Sequence, residues 1–151
     1  MKDKANILIV DDEEVVRLSH LRSLESANCN AQAAEGGQQA LSVMENNAFD
    51  VVLLDLRMPD IDGMDVLKTI KEKWPDSEVV VITGFPSIET AKEAVRLGAF
   101  NYLTKPLGAA EVIRITNDAM TQKRWSLRSD RDGEQAGEFS AQTPGDKLII
   151  N

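Results

Sequence analysis

The sequence is poor in the residues that disulfide bonding, membrane insertion and nucleic-acid binding require. Cys29 is its single cysteine, which excludes an internal disulfide and suits a reducing compartment. No apolar run is long enough to span a bilayer, and the first residues lack the anatomy of a signal peptide. Lysine and arginine number 17 against 25 acidic residues, and the net charge of −8 argues against direct contact with nucleic acid or an anionic membrane. We therefore expect a cytoplasmic protein whose partners are proteins, metal ions and small phosphorylated groups.

Apolar runs alternate regularly with helical stretches over about the first 124 residues. The apolar runs predict five strands, at about residues 5–10, 30–34, 51–55, 79–82 and 100–103. Helical spacing predicts five helices. The first, at about 14–27, has Val15, Leu18 and Leu24 among its apolar residues. The others are a short one after Gly37, one ending near 73, one capped by Ser87 that runs to about 97, and one ending near 123. Unbroken aliphatic runs are typical of strands buried on both faces. The pattern predicts an α/β fold built on a doubly wound parallel sheet.

The composition changes near Trp125. Residues 126–145 are rich in serine, glutamine, glycine and acidic residues and show no apolar periodicity, which is typical of a flexible linker. The prediction is a domain over residues 1–124 and a flexible C-terminal tail or linker over residues 125–151. In that tail, Trp125 and Leu127 loosely continue the apolar stripe of the fifth helix.

Three aspartates follow two of the apolar runs directly. Asp11 and Asp12 come after residues 7–10, and Asp55 comes after residues 51–54. The carboxyl ends of parallel strands meet at one sheet edge, where such folds bind ligands. Clustered carboxylates repel one another unless a hard cation lies among them, and oxygen ligands suit Mg²⁺. The sequence therefore predicts a magnesium site, while the acidic pair also suits the N-terminus of the first helix.

Four motifs, in this order, resemble those of the receiver domains of bacterial response regulators, over about residues 5–122. They read ILIVDDEE at 7–14, LDLRMPD at 54–60, ITG at 82–84 and YLTKP at 102–106. Two longer stretches, at 83–91 and 97–102, are similar to receivers of the nitrogen-regulator class of transcription activators. The resemblance implies a flavodoxin-like fold with five helices and a five-stranded parallel sheet in the order 2-1-3-4-5.

The resemblance also implies the chemistry of the site. Asp55 would accept a phosphoryl group from a sensor histidine kinase or a phosphotransfer protein. Asp11, Asp12, Asp55 and the backbone carbonyl of Arg57 would hold Mg²⁺, with Mn²⁺ as an alternative. Lys105 would offset charge, so that three carboxylates, one divalent cation and one ammonium sum to zero. Such a protein is a switch that catalyses only its own phosphorylation and dephosphorylation, and is otherwise not an enzyme.

Further residues are expected to transmit the signal. Thr83 would donate its hydroxyl to the phosphoryl group, and Tyr102 would act as a rotamer switch coupled to it, unless it is only a partly buried strand aromatic. The resemblance gives a cis peptide before Pro106, and a homodimer or output face formed by the fourth helix, fifth strand and fifth helix. Phe85 and Arg57 are expected at the mouth of the site. His20 is expected on the surface of the first helix, without a functional role.

Two other functions fit the sequence less well. Mg²⁺-dependent phosphatases with an aspartyl nucleophile usually carry Asp-x-Asp, whereas Asp55 is followed by Leu56 and Arg57. A flavodoxin-like cofactor binder needs a phosphate loop rich in glycine and hydroxyl groups after the first strand, where residues 11–14 are all acidic and would repel phosphate. Transcription regulation through an output domain is consistent with the resemblance, but no ATPase or helix-turn-helix motif follows within this chain.

Overall fold

Five strands and five helices alternate along the chain in a computed structural model, which describes the backbone of residues 4–132 and the side chains of residues 4–125. The strands are β1 (Asn6–Val10), β2 (Asn30–Ala34), β3 (Val51–Leu54), β4 (Glu78–Thr83) and β5 (Asn101–Thr104). The helices are α1 (Glu14–Ser26), α2 (Gly37–Asn46), α3 (Gly63–Lys73), α4 (Ile88–Arg96) and α5 (Ala109–Asp132). Among the described residues no helix is both long and apolar enough to cross a bilayer.

The strands form one parallel sheet in the order β2-β1-β3-β4-β5, which confirms the predicted topology. Each strand is separated from the next by a helix, as crossover connections between parallel strands require. Every residue of β3 is buried, and β1 and β4 are buried except for their first residues. Two apolar layers cover the sheet, one contributed by α2, α3 and α4 and the other by α1 and α5. Burial on both faces explains why these strands are unbroken apolar runs rather than alternating ones.

Short polar residues begin two of the helices. Ser87 accepts a hydrogen bond from the Thr90 N–H and caps α4, as predicted, and Asp62 accepts one from the Met64 N–H at the start of α3. Gly98 follows α4 with a φ of 101°, a left-handed conformation that glycine adopts without a steric penalty. These signals fix where the helices around the carboxyl edge of the sheet begin and end.

The orientation of α1 differs from the prediction. His20, expected on the surface, is only 5% exposed and lies with Ser23 and Leu24 on the buried face of the helix. Val15 and Leu18, which belong to the apolar spacing that predicted this helix, are 79% and 47% exposed. At about 100° per residue these two positions fall opposite His20, so only one of the two faces can be buried. Burial lowers the pKa of His20, with smaller and opposed contributions from the charges of Asp11 and Lys105.

The last helix is longer than the sequence predicted. α5 continues to Asp132, past the expected end near residue 123 and into the segment interpreted as linker. The composition there is polar, but arginine has good helix propensity, and Arg124, Arg128 and Arg131 fall in this stretch. The remainder of the predicted tail, residues 133–151, lies outside the described residues, and the division at residue 124 stays a prediction.

Candidate functional site

The predicted carboxylates meet at the carboxyl edge of the sheet. Asp11 and Asp55 are the first residues beyond the neighbouring strands β1 and β3, and the Asp55 N–H still donates to the Val10 carbonyl at 2.9 Å. Ligand oxygens of Asp11, Asp12 and Asp55 all lie within 4.8 Å of one another. Asp11 and Asp55 are buried and Asp12 is exposed, so the cluster is shielded from solvent on one side and open to it on the other.

Lys105 is the cation that joins this cluster. It follows β5, and its ammonium lies 2.8 Å from Asp11 Oδ2, 3.0 Å from Glu13 Oε1 and 3.3 Å from Asp55 Oδ2. The peptide between Lys105 and Pro106 is cis, as the resemblance implied. Burial alone would lower the pKa of Lys105, but the hydrogen bonds to Asp11 and Glu13 and the charge of Asp55 raise it well above its ordinary value. The ammonium is therefore held charged.

Glu13 was not assigned a role from the sequence. It is the third acidic residue after β1, its side chain is 61% exposed, and its N–H donates to Asp11 Oδ1 at 2.9 Å. The contact with Lys105 joins residues 92 positions apart, so local spacing gave no signal for it. The acidic run at residues 11–14 was the only hint that more than two carboxylates face the crevice.

The balance of charge at Asp55 is incomplete. Burial raises the pKa of this carboxyl above its ordinary value of 3.8, and the nearby charge of Asp11 adds to the rise. The Arg57 N–H, 3.2 Å from Asp55 Oδ1, and the Lys105 ammonium act in the opposite direction. The net shift is upward, so the donors present do not fully compensate for burial and for the neighbouring carboxylate.

The donor set fits a small hard cation. Three carboxylates converge, all their ligand atoms are oxygen, and one of them is exposed, which leaves room for the waters that Mg²⁺ retains. Soft metals favour thiolate and imidazole ligands, which this cluster lacks. The part assigned by resemblance to the Arg57 carbonyl stays a prediction.

Thr83 ends β4 next to Lys105. Its side chain is fully buried, and its hydroxyl accepts a hydrogen bond from the Phe85 N–H at 3.1 Å. The Lys105 N–H donates to the Thr83 carbonyl at 2.8 Å, which continues the β4–β5 ladder to the edge of the site. The structure thus places Thr83 and Lys105 side by side at this edge of the sheet, and the threonine hydroxyl is engaged by its own loop.

Tyr102 is bound to the start of α4. The side chain is half-buried against the apolar layer formed by α2, α3 and α4. Its hydroxyl lies 2.6 Å from Thr90 Oγ1 and accepts the Ser87 N–H at 3.1 Å. The sequence predicted the Ser87 cap but not its connection to Tyr102, which depends on how β5 lies relative to α4.

Arg57 and Phe85 meet across the mouth of the site. The Arg57 guanidinium lies 4.1 Å from the centroid of the Phe85 ring, a cation–π contact that links the loops after β3 and β4. Phe85 is nevertheless 64% exposed. The two residues flank the crevice, as expected from their positions two beyond Asp55 and Thr83.

Comparison with known proteins agrees with this geometry. The family model for the response regulator receiver domain matches residues 7–117. Over 109 residues the chain is 40% identical to the transcriptional regulatory protein ZraR of Escherichia coli K12, a match that covers 70% of this chain and 24% of ZraR. It is 34% identical over 121 residues to the DNA-binding transcriptional regulator NtrC of Proteus hauseri, covering 80% of this chain and 26% of that protein.

A solved structure gives the same result. The beryllofluoride-activated receiver domain dimer of NtrC4 superposes with a TM-score of 0.74 at 35% identity, covering 78% of this chain and 98% of that one. The chain spans about a quarter of the length of the two curated relatives, so the match concerns one domain of each. With the fold, the strand order and the family model in agreement, the chain belongs to the response regulator receiver domains of two-component systems.

Proposed function

We propose that this chain takes a phosphoryl group from a phosphohistidine of a partner histidine kinase, or of a phosphotransfer protein, onto Asp55. The observation that carries the proposal is the convergence of Asp55 with Asp11, Asp12 and Lys105 at the carboxyl edge of the sheet. Asp55 lies at the end of a fully buried strand, which fixes its backbone, while the open side of the crevice admits a donor.

The transfer needs little covalent chemistry from the protein. An Asp55 carboxylate oxygen forms a bond to phosphorus while the bond from phosphorus to the donor nitrogen breaks and its electron pair stays with the imidazole. Lys105, already 3.3 Å from Asp55 Oδ2, can move from the carboxylates to a phosphoryl oxygen as a point charge. Asp11, Asp12 and Asp55, with the Arg57 carbonyl by resemblance, would hold Mg²⁺ or Mn²⁺. The bound cation would supply neutralisation of phosphoryl charge.

The chain is proposed to act on itself and on no other substrate. The phosphatase alternative needs a second carboxylate two residues after the nucleophile, and that position is Arg57, whose guanidinium lies over Phe85. An acid–base group is thus replaced by a cation at the mouth of the site. That arrangement favours a phosphoacceptor domain over a phosphatase of this kind.

The output surface is proposed to be the face of α4, β5 and α5. Ile88 and Val95 on α4 are 74% and 38% exposed, although both are apolar. Tyr102 on β5 contacts the first turn of α4, so movement of Thr83 toward a phosphoryl group can reach this face. The NtrC4 relative is a dimer in its beryllofluoride-activated form. We propose that this chain also forms a homodimer, that the α4–β5–α5 face is its interface, and that the output is transcription regulation.

Phosphorylation of one residue is the direct test. Incubation with acetyl phosphate and Mg²⁺ should add one phosphoryl group to the wild type and none to Asp55→Asn. The matched control is Asp65→Asn, which alters an exposed carboxylate on α3 and should be labelled like wild type. Equal labelling of Asp55→Asn and wild type would contradict the assignment.

Beryllofluoride tests the output surface separately. As a mimic of aspartyl phosphate, it should shift amide resonances along α4 and β5, including Ile88 and Tyr102, and increase the fraction of dimer. α2 contacts β1 and β2, at the opposite end of the strand order from β5, and serves as the internal control. Shifts confined to the loops that carry Asp11, Asp55 and Lys105 would argue that the site does not communicate with this face.

A further inference from the structure

The loop between β3 and α3, residues 55–62, has its two ends held close together. The Arg57 N–H donates to Asp55 Oδ1 at 3.2 Å, and the Gly63 N–H donates to the Leu56 carbonyl at 3.1 Å. A Cβ atom on Gly63 would lie 2.4 Å from Leu56 Cα, so the two ends of the loop touch too closely for a side chain there. These contacts leave the middle of the loop to be held by something outside it.

Asp60, in the middle of this loop, binds the start of α2. Its carboxylate accepts the Gln38 N–H at 2.9 Å and the Gly37 N–H at 3.2 Å. These are among the first N–H groups of α2, and Gly36, at the N-cap, has no side chain with which to bond them. The Gln38 hydrogen bond, foremost, holds the pKa of Asp60 below its usual value. Asp60 thus caps α2 from a different segment of the chain.

The start of α2 is shaped to accept this carboxylate. A Cβ atom on Gly36 would lie 2.8 Å from both carboxylate oxygens of Asp60, closer than real Cβ atoms approach. A Cβ atom on Gly37 would lie 2.6 Å from Val66 Cγ2 and 3.1 Å from Ile61 Cβ. Two consecutive glycines therefore let the helix start come into contact with the loop and with α3.

From this contact between Asp60 and the start of α2, we infer that Asp60 is a positioning residue for the phosphorylation site. It touches neither Asp55 nor the acidic pair, but it fixes the loop that runs from Asp55 through Arg57 against a rigid helix. Metal binding needs the ligands on this loop at fixed positions relative to Asp11 and Asp12, which follow another strand, β1. The inference rests on the proposed function, since it concerns the same site.

Two single substitutions disrupt the contact between Asp60 and α2, one in the loop and one at the start of the helix. Asp60→Ala removes the carboxylate. Gly36→Ala leaves the loop sequence intact and displaces the carboxylate instead; Gly36 has a φ of −170°, which alanine adopts without strain. Each should raise the dissociation constant for Mg²⁺ about tenfold, the lower end of the loss that follows removal of groups that orient metal ligands. The readout is an Mg²⁺ titration followed by the amide signals of Asp12 and Asp55.

The double variant and two controls make the test specific. Because both changes act on one contact, Asp60→Ala with Gly36→Ala should bind Mg²⁺ no more weakly than Asp60→Ala alone. Glu35→Ala removes a negative charge beside Gly36 without altering the contact between Asp60 and α2, so this variant should bind Mg²⁺ like wild type. Asp60→Asn keeps one acceptor oxygen and should recover part of the affinity.

The outcomes separate this inference from the function on which it rests. If the wild type neither binds Mg²⁺ nor accepts a phosphoryl group, the proposed function fails and this inference with it. If the wild type does both, and the Asp60 and Gly36 variants lose thermal stability while keeping wild-type affinity, Asp60 is structural and the inference alone is overturned. Should Asp60→Ala not fold, Gly36→Ala and Asp60→Asn decide the matter by the same titration.

Discussion

Charged residues pair differently at the amino and carboxyl ends of the parallel strands. At the amino edge, Lys123 pairs with Asp50 at 2.7 Å, and the second oxygen of Asp50 accepts the Asn6 N–H at 2.8 Å. At the carboxyl edge, Lys105 is shared among Asp11, Glu13 and Asp55, with Asp12 nearby. The two lysine side chains are almost equally buried, at 16% and 15% exposure. One edge is a closed one-to-one pair that holds structure together, and the other has surplus negative charge that a ligand can use.

Removal of each lysine should show this difference most strongly. In metal-free protein, Lys105→Met should lower the free energy of unfolding by about 3 kcal/mol, since it leaves buried carboxylates without a cation. Lys123→Met should cost about 1 kcal/mol, because Asp50 keeps its bond to the backbone. Urea denaturation in EDTA gives both values. Equal losses, or a Lys105→Met loss that millimolar Mg²⁺ does not reduce, would remove the distinction between the edges.

The response to Mg²⁺ sharpens the comparison at a smaller scale. At ten times its dissociation constant, Mg²⁺ should stabilise the wild type by about 1.4 kcal/mol through linkage. Asp12→Ala relieves repulsion, so it should raise the melting temperature of metal-free protein while it abolishes both this response and phosphorylation. Asp50→Ala, the matched change at the other edge, should lower the melting temperature with and without Mg²⁺. Calorimetry of the two variants checks this, and an unchanged Mg²⁺ response in Asp12→Ala would contradict it.

The smallest effect concerns His20, whose pKa is influenced by Asp11 and Lys105. Burial holds the pKa of folded His20 below the ordinary value of 6.5, so the unfolded chain takes up a proton that the folded chain does not. Stability should therefore fall as the pH drops through about 6.5 and should level off, for this group, below its folded pKa. Denaturation at pH 7.5 and 5.5 should show a smaller loss in His20→Gln than in wild type. Identical losses would mean that His20 titrates alike in both states.

Much of the fold could be predicted because buried elements have a recognisable pattern of apolar residues in the local sequence. β3 and β4 are covered on both faces, so their apolar runs are unbroken and marked the sheet directly. Asp11 and Asp55 were found for the same reason, since each follows such a run. The pattern of α1 is weaker, because this helix carries apolar residues on both faces. The sequence could not tell which of the two faces packs against the sheet. Hence His20 was expected on the surface, whereas the structure buries it and exposes Leu18.

The parts of the site that sequence reasoning missed are contacts between distant segments. Glu13 with Lys105, Asp60 with α2, and Tyr102 with Thr90 each depend on how separate elements pack. A charged or hydroxyl side chain in a turn has many local partners, and nothing in the spacing selects the distant one. The resemblance supplied roles for Thr83 and Tyr102, but not the bonds that hold them.

The backbone hydrogen bond from Lys105 to the Thr83 carbonyl has a consequence for the kinetics of the switch. At 2.8 Å it ties the two residues that a phosphoryl group would attract into one ladder. A shift of the backbone at Thr83 must carry the backbone at Lys105 with it, since moving only one of them would lose a buried bond. Half-switched species should therefore be sparsely populated, and the domain should cross between its two forms in a single cooperative step.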